Sequence, residues 1–441
     1  MEQLKLSNFI SSYPDINDPK FTEQLIKKKE LYDLILDKEE VISEDNQVLK
    51  HQKIISIFLS SYTMYNSLLL FHSMGTGKSI AAIYTAQSIL QQRFGIKKIY
   101  FCSNTDIIRD NLMNELLKWD PTLQPNNFGA LTENERKRRT KKKLEENNYY
   151  FMTFIEIYNE YNKTKRNIKR YENSLMIFDE IHDITKSDTI KESSGITNIE
   201  KYNTIKDIID RITISNTSSK VLLMSGTPMT DKANEIAKIL NLILPNKIVQ
   251  GDNFDRTFLN EDGIMIDEDK IERFNKLTTG YVSYLKNQKS IKTKFIGDNV
   301  LEDFVNLKLL TMKEGELQNE VVNDLLKVEI RDLTNDALGG NVKQASLFVF
   351  PNQSFGKEGY DTYITDKIKS VRDPISKKMK KTNTYELGEE LKGITTINQL
   401  KKHSLKYYEI FKKIQSKPEE CHFVYCDLIK GSGLRLFSLL L

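Results

Sequence analysis

A chain of 441 residues, 39% hydrophobic and 29% charged, holds enough apolar sequence for two or three domains with cores of their own. That balance excludes a low-complexity or disordered chain, and a net charge of +4 is too small to argue by itself for a nucleic-acid partner. Three cysteines (Cys102, Cys421, Cys426) exclude a disulfide framework, and no paired CxxC with metal-ligand spacing is present, so a reducing compartment is expected.

The N-terminal MEQLKLSNF lacks the basic-then-apolar layout of a signal peptide, and no run approaches the ~18 apolar residues of a membrane span. Residues 1–45 read as a helical extension, with turns at Tyr13-Pro14-Asp15 and Asn17-Asp18-Pro19. The pattern then changes to short apolar strands alternating with helices. Strands are predicted at 67–71 (SLLLF), 99–103 (IYFCS), 148–154, 174–178 (SLMIF) and 220–225 (KVLLMS). Helices are predicted at 78–92, 105–118, about 198–211 and 231–244, with a helical stretch near 265–289 closing the first domain. Apolar strands separated by amphipathic helices argue for a parallel sheet covered on both faces. The region 186–219 reads as a polar surface excursion. Further strands are predicted at 304–312, 346–351 and 421–427, the last followed by a helix. Basic clusters at 136–143 (RKRRTKKK, read as a loop), 163–170 and 377–381 are each more simply solvated faces when taken singly.

Three strand ends carry chemistry. FHSMGTGKSI follows SLLLF and precedes an Ala-rich helix. Met74, Gly75, Thr76 and Gly77 would let backbone N–H groups approach phosphate oxygens at a helix N-terminus, with Lys78 reaching the β and γ phosphates and Ser79 ligating Mg²⁺. The usual loop opens with glycine where this chain has His72. SLMIFDEIHDI ends a strand in Asp179-Glu180: Asp179 would hold Mg²⁺, and Glu180 would orient or deprotonate the attacking water. VLLMSGTPMTD ends another in Ser225-Gly226-Thr227, whose hydroxyls could sense the γ-phosphate.

GTGKS, then DEIH (179–182), then SGTP (225–228) resembles motifs I, II and III of superfamily 2 DExH (DEAH-box) helicases and translocases. LKHQK (49–53) resembles the upstream adenine-reading motif, which makes Gln52 the expected base contact. CSNTDIIRDNLMNEL (102–116) and MTFIEI (152–157) sit where that family contacts the nucleic-acid backbone. HSMGTGKS, LLMSGTPMTDKANEIAKILNLILP, KQASLFVFP and FVYCDLIKGSGLRLFSLLL together are similar to helicase-like transcription proteins of large DNA viruses, relatives of the poxvirus early transcription factor small subunit and of nucleoside triphosphate phosphohydrolase I. In these proteins a non-glycine residue at the first loop position is usual.

The resemblance implies an α/β chain: a RecA-like, P-loop NTPase lobe over 46–285 and an incomplete second RecA-like lobe from 286 to 441 that lacks motifs V and VI. The arginine those motifs supply can be worth about 10³–10⁵ in turnover. His182, Ser225 and Thr227 would couple nucleotide state to lobe movement. ATP and Mg²⁺ are the implied cofactors, and nucleic acid, most simply DNA, is the implied partner. A viral RNA polymerase or transcription factor subunit is implied too, with location in a virion or the cytoplasmic factory of an infected host. The alternative is a promoter- or polymerase-binding factor that uses ATP only as a switch. A phosphate-loop kinase does not explain DEIH followed by SGTP.

Overall fold

The computed structural model describes residues 13–36, 48–126, 129, 132–185, 195–214, 218–229, 232–260, 264, 267–286, 298–299, 308–309, 316–329, 340–372, 379–395 and 397–441. The chain divides into two compact units, Met1–Ser290 and Ile291–Leu441. In the first, helices α1 (Phe21–Ile26), α2 (Lys29–Leu36) and α3 (Lys50–Phe58) lead into β1 (Ser67–His72). Then come α4 (Lys78–Gln91), β2 (Lys98–Ser103), α5 (Asp106–Trp119), α6 (Glu133–Glu146), β3 (Tyr149–Thr153) and α7 (Phe154–Lys163). β4 (Ser174–Phe178), α8 (Asn198–Ile214), β5 (Lys220–Ser225), α9 (Glu235–Leu240), α10 (Asp252–Phe258), α11 (Glu268–Thr278) and β6 (Val282–Leu285) complete it.

The six strands form one parallel sheet in the order β3-β2-β4-β5-β1-β6. Alternation along each strand splits the core in two. Leu69, Tyr100, Cys102, Met176, Phe178, Val221 and Leu223 pack with α7, α8 and α9. Their neighbours Leu68, Leu70, Ile99, Phe101, Leu175, Ile177, Leu222 and Met224 pack with α3, α4 and α5 on the other face. Both faces being covered explains why the strands read as unbroken apolar runs. Ala81, Ala82 and Ala86 let α4 lie close on the sheet. The N-terminal segment joins the same core through Phe21, Tyr13, Ile16 and Leu25. Its turns fall at Asp15–Asp18 and Asp18–Phe21; residues 1–12 and 37–45 lie outside the described residues.

Three expectations are corrected in this unit. The helix expected over 265–289 ends at Thr278, and Val282–Leu285 forms an edge strand paired with β1. Gly280, at φ +80°, makes the break. The helix expected over 231–244 ends at Leu240, where Asn241 turns the chain by bonding the Ile248 N–H at 2.7 Å and its carbonyl at 2.8 Å. The basic segment 136–143 is helical, not a loop, and lies in α6.

The second unit contains a short β7–β8 pair (Asp298–Asn299, Lys308–Leu309), α12 (Glu316–Glu329), α13 (Gly340–Leu347), α14 (Gly356–Tyr363), an antiparallel hairpin β9–β10 (Ile364–Arg372, Met379–Leu387), α15 (Glu389–Lys392), α16 (Ile397–His403), α17 (Leu405–Ser416) and α18 (Leu434–Leu440). Most of the strand expected at 304–312 lies outside the described residues. The strand expected at 346–351 is instead the end of α13 and a buried extended segment. Its Val349 and Phe350 N–H groups donate to His403 and Ser354 carbonyls, not to a ladder. No strand forms at 421–427 either, where Phe423 is 90% exposed. An apolar run becomes a strand only with a ladder partner.

Candidate functional site

The loop 73–77 joins β1 to α4. Gly75 and Gly77 both have positive φ, +78° and +79°, the left-handed backbone that glycine adopts without penalty. The Thr76 hydroxyl donates to the Ser73 carbonyl at 2.8 Å and fixes the turn, while Met74 projects into solvent. The Lys78 ammonium donates to the His72 carbonyl at 3.0 Å and lies 3.5 Å from that of Ser73. Ser79 follows it in the first turn of α4, partly exposed. A side chain at Gly226 would press on Lys78 and Met74, so the bareness of SGTP keeps the ammonium's space open.

Gln52 is placed beneath this loop. It is 2% exposed; its Nε2 donates to the Gly77 carbonyl at 3.1 Å, and its Oε1 accepts the Leu49 N–H at 2.9 Å. The amide expected to read adenine is therefore engaged as a brace of the phosphate loop. Beside it, His51 Nε2 lies 3.0 Å from the Thr76 carbonyl, a second brace that sequence reading passed over although it adjoins Gln52. His72 turns its ring away from the loop. Nε2 meets Ser283 Oγ of β6 at 2.9 Å, and burial, with His51 and Lys78 close by, lowers its pKa to about 4.

On β4, two strands from β1, Asp179 and Glu180 follow the last strand residue. Burial first, then the adjacent Glu180 carboxylate, push Asp179 up to about 6, against the pull of Lys78 and of the Glu180 N–H that it accepts at 3.1 Å. Glu180 is held below the usual carboxylate range by His182 and by Lys78. Its backbone is left-handed (φ 48°), an uncommon conformation for a residue with a side chain and one found at functional turns. His182 Nδ1 lies 3.2 Å from Glu180 Oε2 and 3.0 Å from Ser225 Oγ at the end of β5, and Ser225 Oγ accepts the Thr227 N–H at 3.1 Å. One imidazole thus bridges the ends of β4 and β5.

A further set lay outside the motifs. Lys201 of α8 is fully buried and donates to Asn104 Oδ1 at 3.4 Å; Asn104 Nδ2 points to Asp183 at 3.5 Å, and Asp183 to His182 Nε2 at 3.5 Å. Nothing local in the sequence marks Lys201, since the pairing spans β2, β4 and α8.

Lys78, Asp179, Glu180, His182, Ser225 and Thr227 therefore converge at the C-terminal ends of adjacent strands, where open α/β sheets bind ligands. A glycine loop opening a helix beside an acidic strand end is the nucleotide-binding lobe of a P-loop NTPase with a RecA-like fold. More narrowly, the chain belongs to the SNF2-related domain family, whose sequence profile matches residues 51–353. It is 28% identical over 454 aligned residues to "Putative helicase 087L" of Invertebrate iridescent virus 3, covering 99% of this chain and 41% of that protein. It is 24% identical to "Putative ATP-dependent RNA helicase R563" of Acanthamoeba polyphaga mimivirus, covering 98% of this chain and 70% of that one. The chain thus spans less than half the length of the iridescent virus relative. The Sulfolobus solfataricus SWI2/SNF2 ATPase core in complex with dsDNA aligns with 70% of this chain and 58% of that one at 13% identity and a TM-score of 0.36, too distant to assign residue roles. Among the described residues no helix is long and apolar enough to cross a membrane.

Proposed function

We propose that this chain is the ATP-binding part of a nucleic-acid-dependent ATPase of the DExH helicase type, working in transcription or DNA unwinding by a large DNA virus. The observation that carries the reading is the convergence of Lys78, Asp179-Glu180 and Ser225 on one end of three adjacent strands, β1, β5 and β4. A triphosphate fits them: Lys78 rests on loop carbonyls that phosphate oxygens can replace, and Asp179 is a partly buried carboxylate with a raised pKa. Met74, Gly75, Thr76 and Gly77 would cradle the phosphates. Ser79 and Asp179 would hold Mg²⁺, which neutralises charge on the phosphate oxygens.

Glu180 stays ionised and so can accept a proton from the attacking water as the new P–O bond forms and the γ-phosphate separates from ADP. His182 would carry the change at Glu180 to Ser225 and Thr227. By the resemblance, residues 286–441 would be the opening of a second lobe. Backbone contacts to DNA would fall on segments 102–116 and 152–157, with recruitment by a viral polymerase or transcription factor subunit.

The test is ATP turnover by this chain and by Lys78→Ala, with and without single- and double-stranded DNA. DNA-stimulated turnover lost in the variant is the expected result. Equal turnover by the two proteins would overturn the site, and nucleotide binding without turnover, coupled to a change in DNA affinity, would give the ATP-switched factor instead.

A further inference from the structure

Helix α6 (ENERKRRTKKKLEE) contributes nothing to the nucleotide site. Thr140 and Leu144 face inward, whereas Lys137, Arg138, Arg139, Lys141 and Lys142 are exposed. At 3.6 residues per turn these five cations cover the outer half of the helix. The arrangement works against the helix itself. Lys137 and Lys141, Arg138 and Lys141, and Arg138 and Lys142 are like-charge pairs at spacings of three or four residues, each destabilising. The local offsets are partial: Lys142 Nζ lies 3.7 Å from Glu146 Oε1, and Glu135 attracts Arg138 and Arg139 without pairing with either. Glu135 is spent on its N-cap, accepting from Thr132 N–H at 3.2 Å and Oγ1 at 2.8 Å. Arg138, Arg139 and Lys141 make no hydrogen bond or ion pair with another described residue.

The position of the helix points to what relieves this repulsion. α6 leads into β3 across residues 147–148 and so runs back along it, which puts its N-terminal half toward the strand ends that carry the nucleotide site. There Lys137 Nζ lies 3.9 Å from Asp110 Oδ2. Asp110 also accepts from Arg109 Nε at 3.1 Å, and Arg109 reaches Glu156 at the start of α7 at 3.5 Å. The basic face therefore adjoins both segments, 102–116 and 152–157, assigned to the nucleic-acid backbone.

We propose that the exposed face of α6 is an accessory nucleic-acid surface that grips the phosphate backbone beside the main track. The inference deepens the proposed function and rests on its nucleic-acid half. From Lys137 to Lys142 the helix rises ~7.5 Å, which against 3.4 Å per phosphate along one strand matches about two phosphates. The surface holds backbone, not sequence, since cations on phosphates carry no base information.

The whole chain and the triple variant Arg138→Gln/Arg139→Gln/Lys141→Gln, which keeps good helix formers, are compared by fluorescence anisotropy with labelled single-stranded and duplex DNA from 50 to 200 mM salt. The variant is expected to bind about tenfold or more weakly, with the slope of log K against log salt shallower by about 2 on duplex and its DNA-independent ATP turnover unchanged. Equal affinity and slope in variant and wild type would overturn the surface while leaving the proposed function standing. Displacement of the duplex by poly-L-glutamate at equal charge, lost in the variant, would assign the face to an acidic polypeptide and also overturn it. A wild-type chain that binds no DNA at 50 mM salt would remove the nucleic-acid half of the proposed function, and this surface with it.

Discussion

His72, the residue standing where phosphate loops usually begin with glycine, is tied by Nε2 to Ser283 Oγ at 2.9 Å, and the next residue's N–H donates to the Leu285 carbonyl at 2.9 Å. The side chain at the loop's first position is thus spent on the edge strand β6. Removing the hydroxyl with Ser283→Ala leaves a buried imidazole nitrogen without its partner, at a cost of about 1–3 kcal/mol. The expected outcome is a lower midpoint in thermal or urea denaturation, and, because both changes break the same contact, a loss in His72→Gly/Ser283→Ala smaller than the sum of the two single losses. A Ser283→Ala midpoint equal to wild type would show that the tie contributes nothing.

Gln52 separates two roles cleanly. As a brace, its Nε2 donates to the Gly77 carbonyl. Gln52→Glu sets a carboxylate oxygen against that carbonyl, and nucleotide binding should weaken about tenfold or more, equally for ATP and GTP. Binding of fluorescent analogues of both, titrated side by side, checks this. A loss confined to the adenine nucleotide would mean that the side chain reads the base.

Asp179 gives the site a pH dependence whose sign can be worked out. Its folded-state pKa of about 6 stands above the ordinary 3.8. The fold therefore favours the protonated acid, and that contribution to stability is present below the ordinary value and lost as the pH rises through about 6. A divalent cation needs the ionised form. Mg²⁺-dependent nucleotide affinity should fall by up to tenfold per pH unit below 6 and level off above 7, while Asp179→Asn binds weakly at every pH. A wild-type profile that stays flat from pH 5 to 7 would refute the assignment.

Gly280 is a structural hinge point between α11 and β6. A Cβ there would sit 2.3 Å from Ile16 Cγ1, on a backbone of φ +80°. Gly280→Ala should destabilise by about 1–2 kcal/mol for the left-handed backbone alone, with overpacking against the N-terminal segment adding to it. Pairing it with Ile16→Ala should recover part of the loss in denaturation. No change in the single variant would contradict the placement of the N-terminal segment on the sheet.

What could be read from the sequence was what short segments decide for themselves. SLLLF, the GTGKS loop and the Ala-rich start of α4 are contiguous, so strand, turn and helix each announce the next. DEIH and SGTP were legible for the same reason. β6 was not: it is four residues long, lies at the edge, and follows a helix with a strong amphipathic pattern. α6 was misread because its inner face offers only Thr140 and Leu144, too thin a stripe to signal a helix. The segments 346–351 and 421–427 carry the right composition for strands, but pairing is decided by residues far along the chain. The same distance hid Gln52 under Gly77, His72 on Ser283 and Lys201 behind Asn104.

The parallel sheet gives this molecule two ends with unequal tolerance for change. Each crossover starts at the chemical end and returns to the far one, so the connection 164–173 before β4 stands a strand's length from Lys78. Residues added at 164–173 would leave Asp179 facing Lys78, whereas the same residues added after Phe178 would carry Asp179, Glu180 and His182 off the end of β4 and away from Lys78 and Ser225. The connection 164–173 is accordingly where a purification handle, a fluorophore or a tether could be grafted, with the nucleotide site left undisturbed.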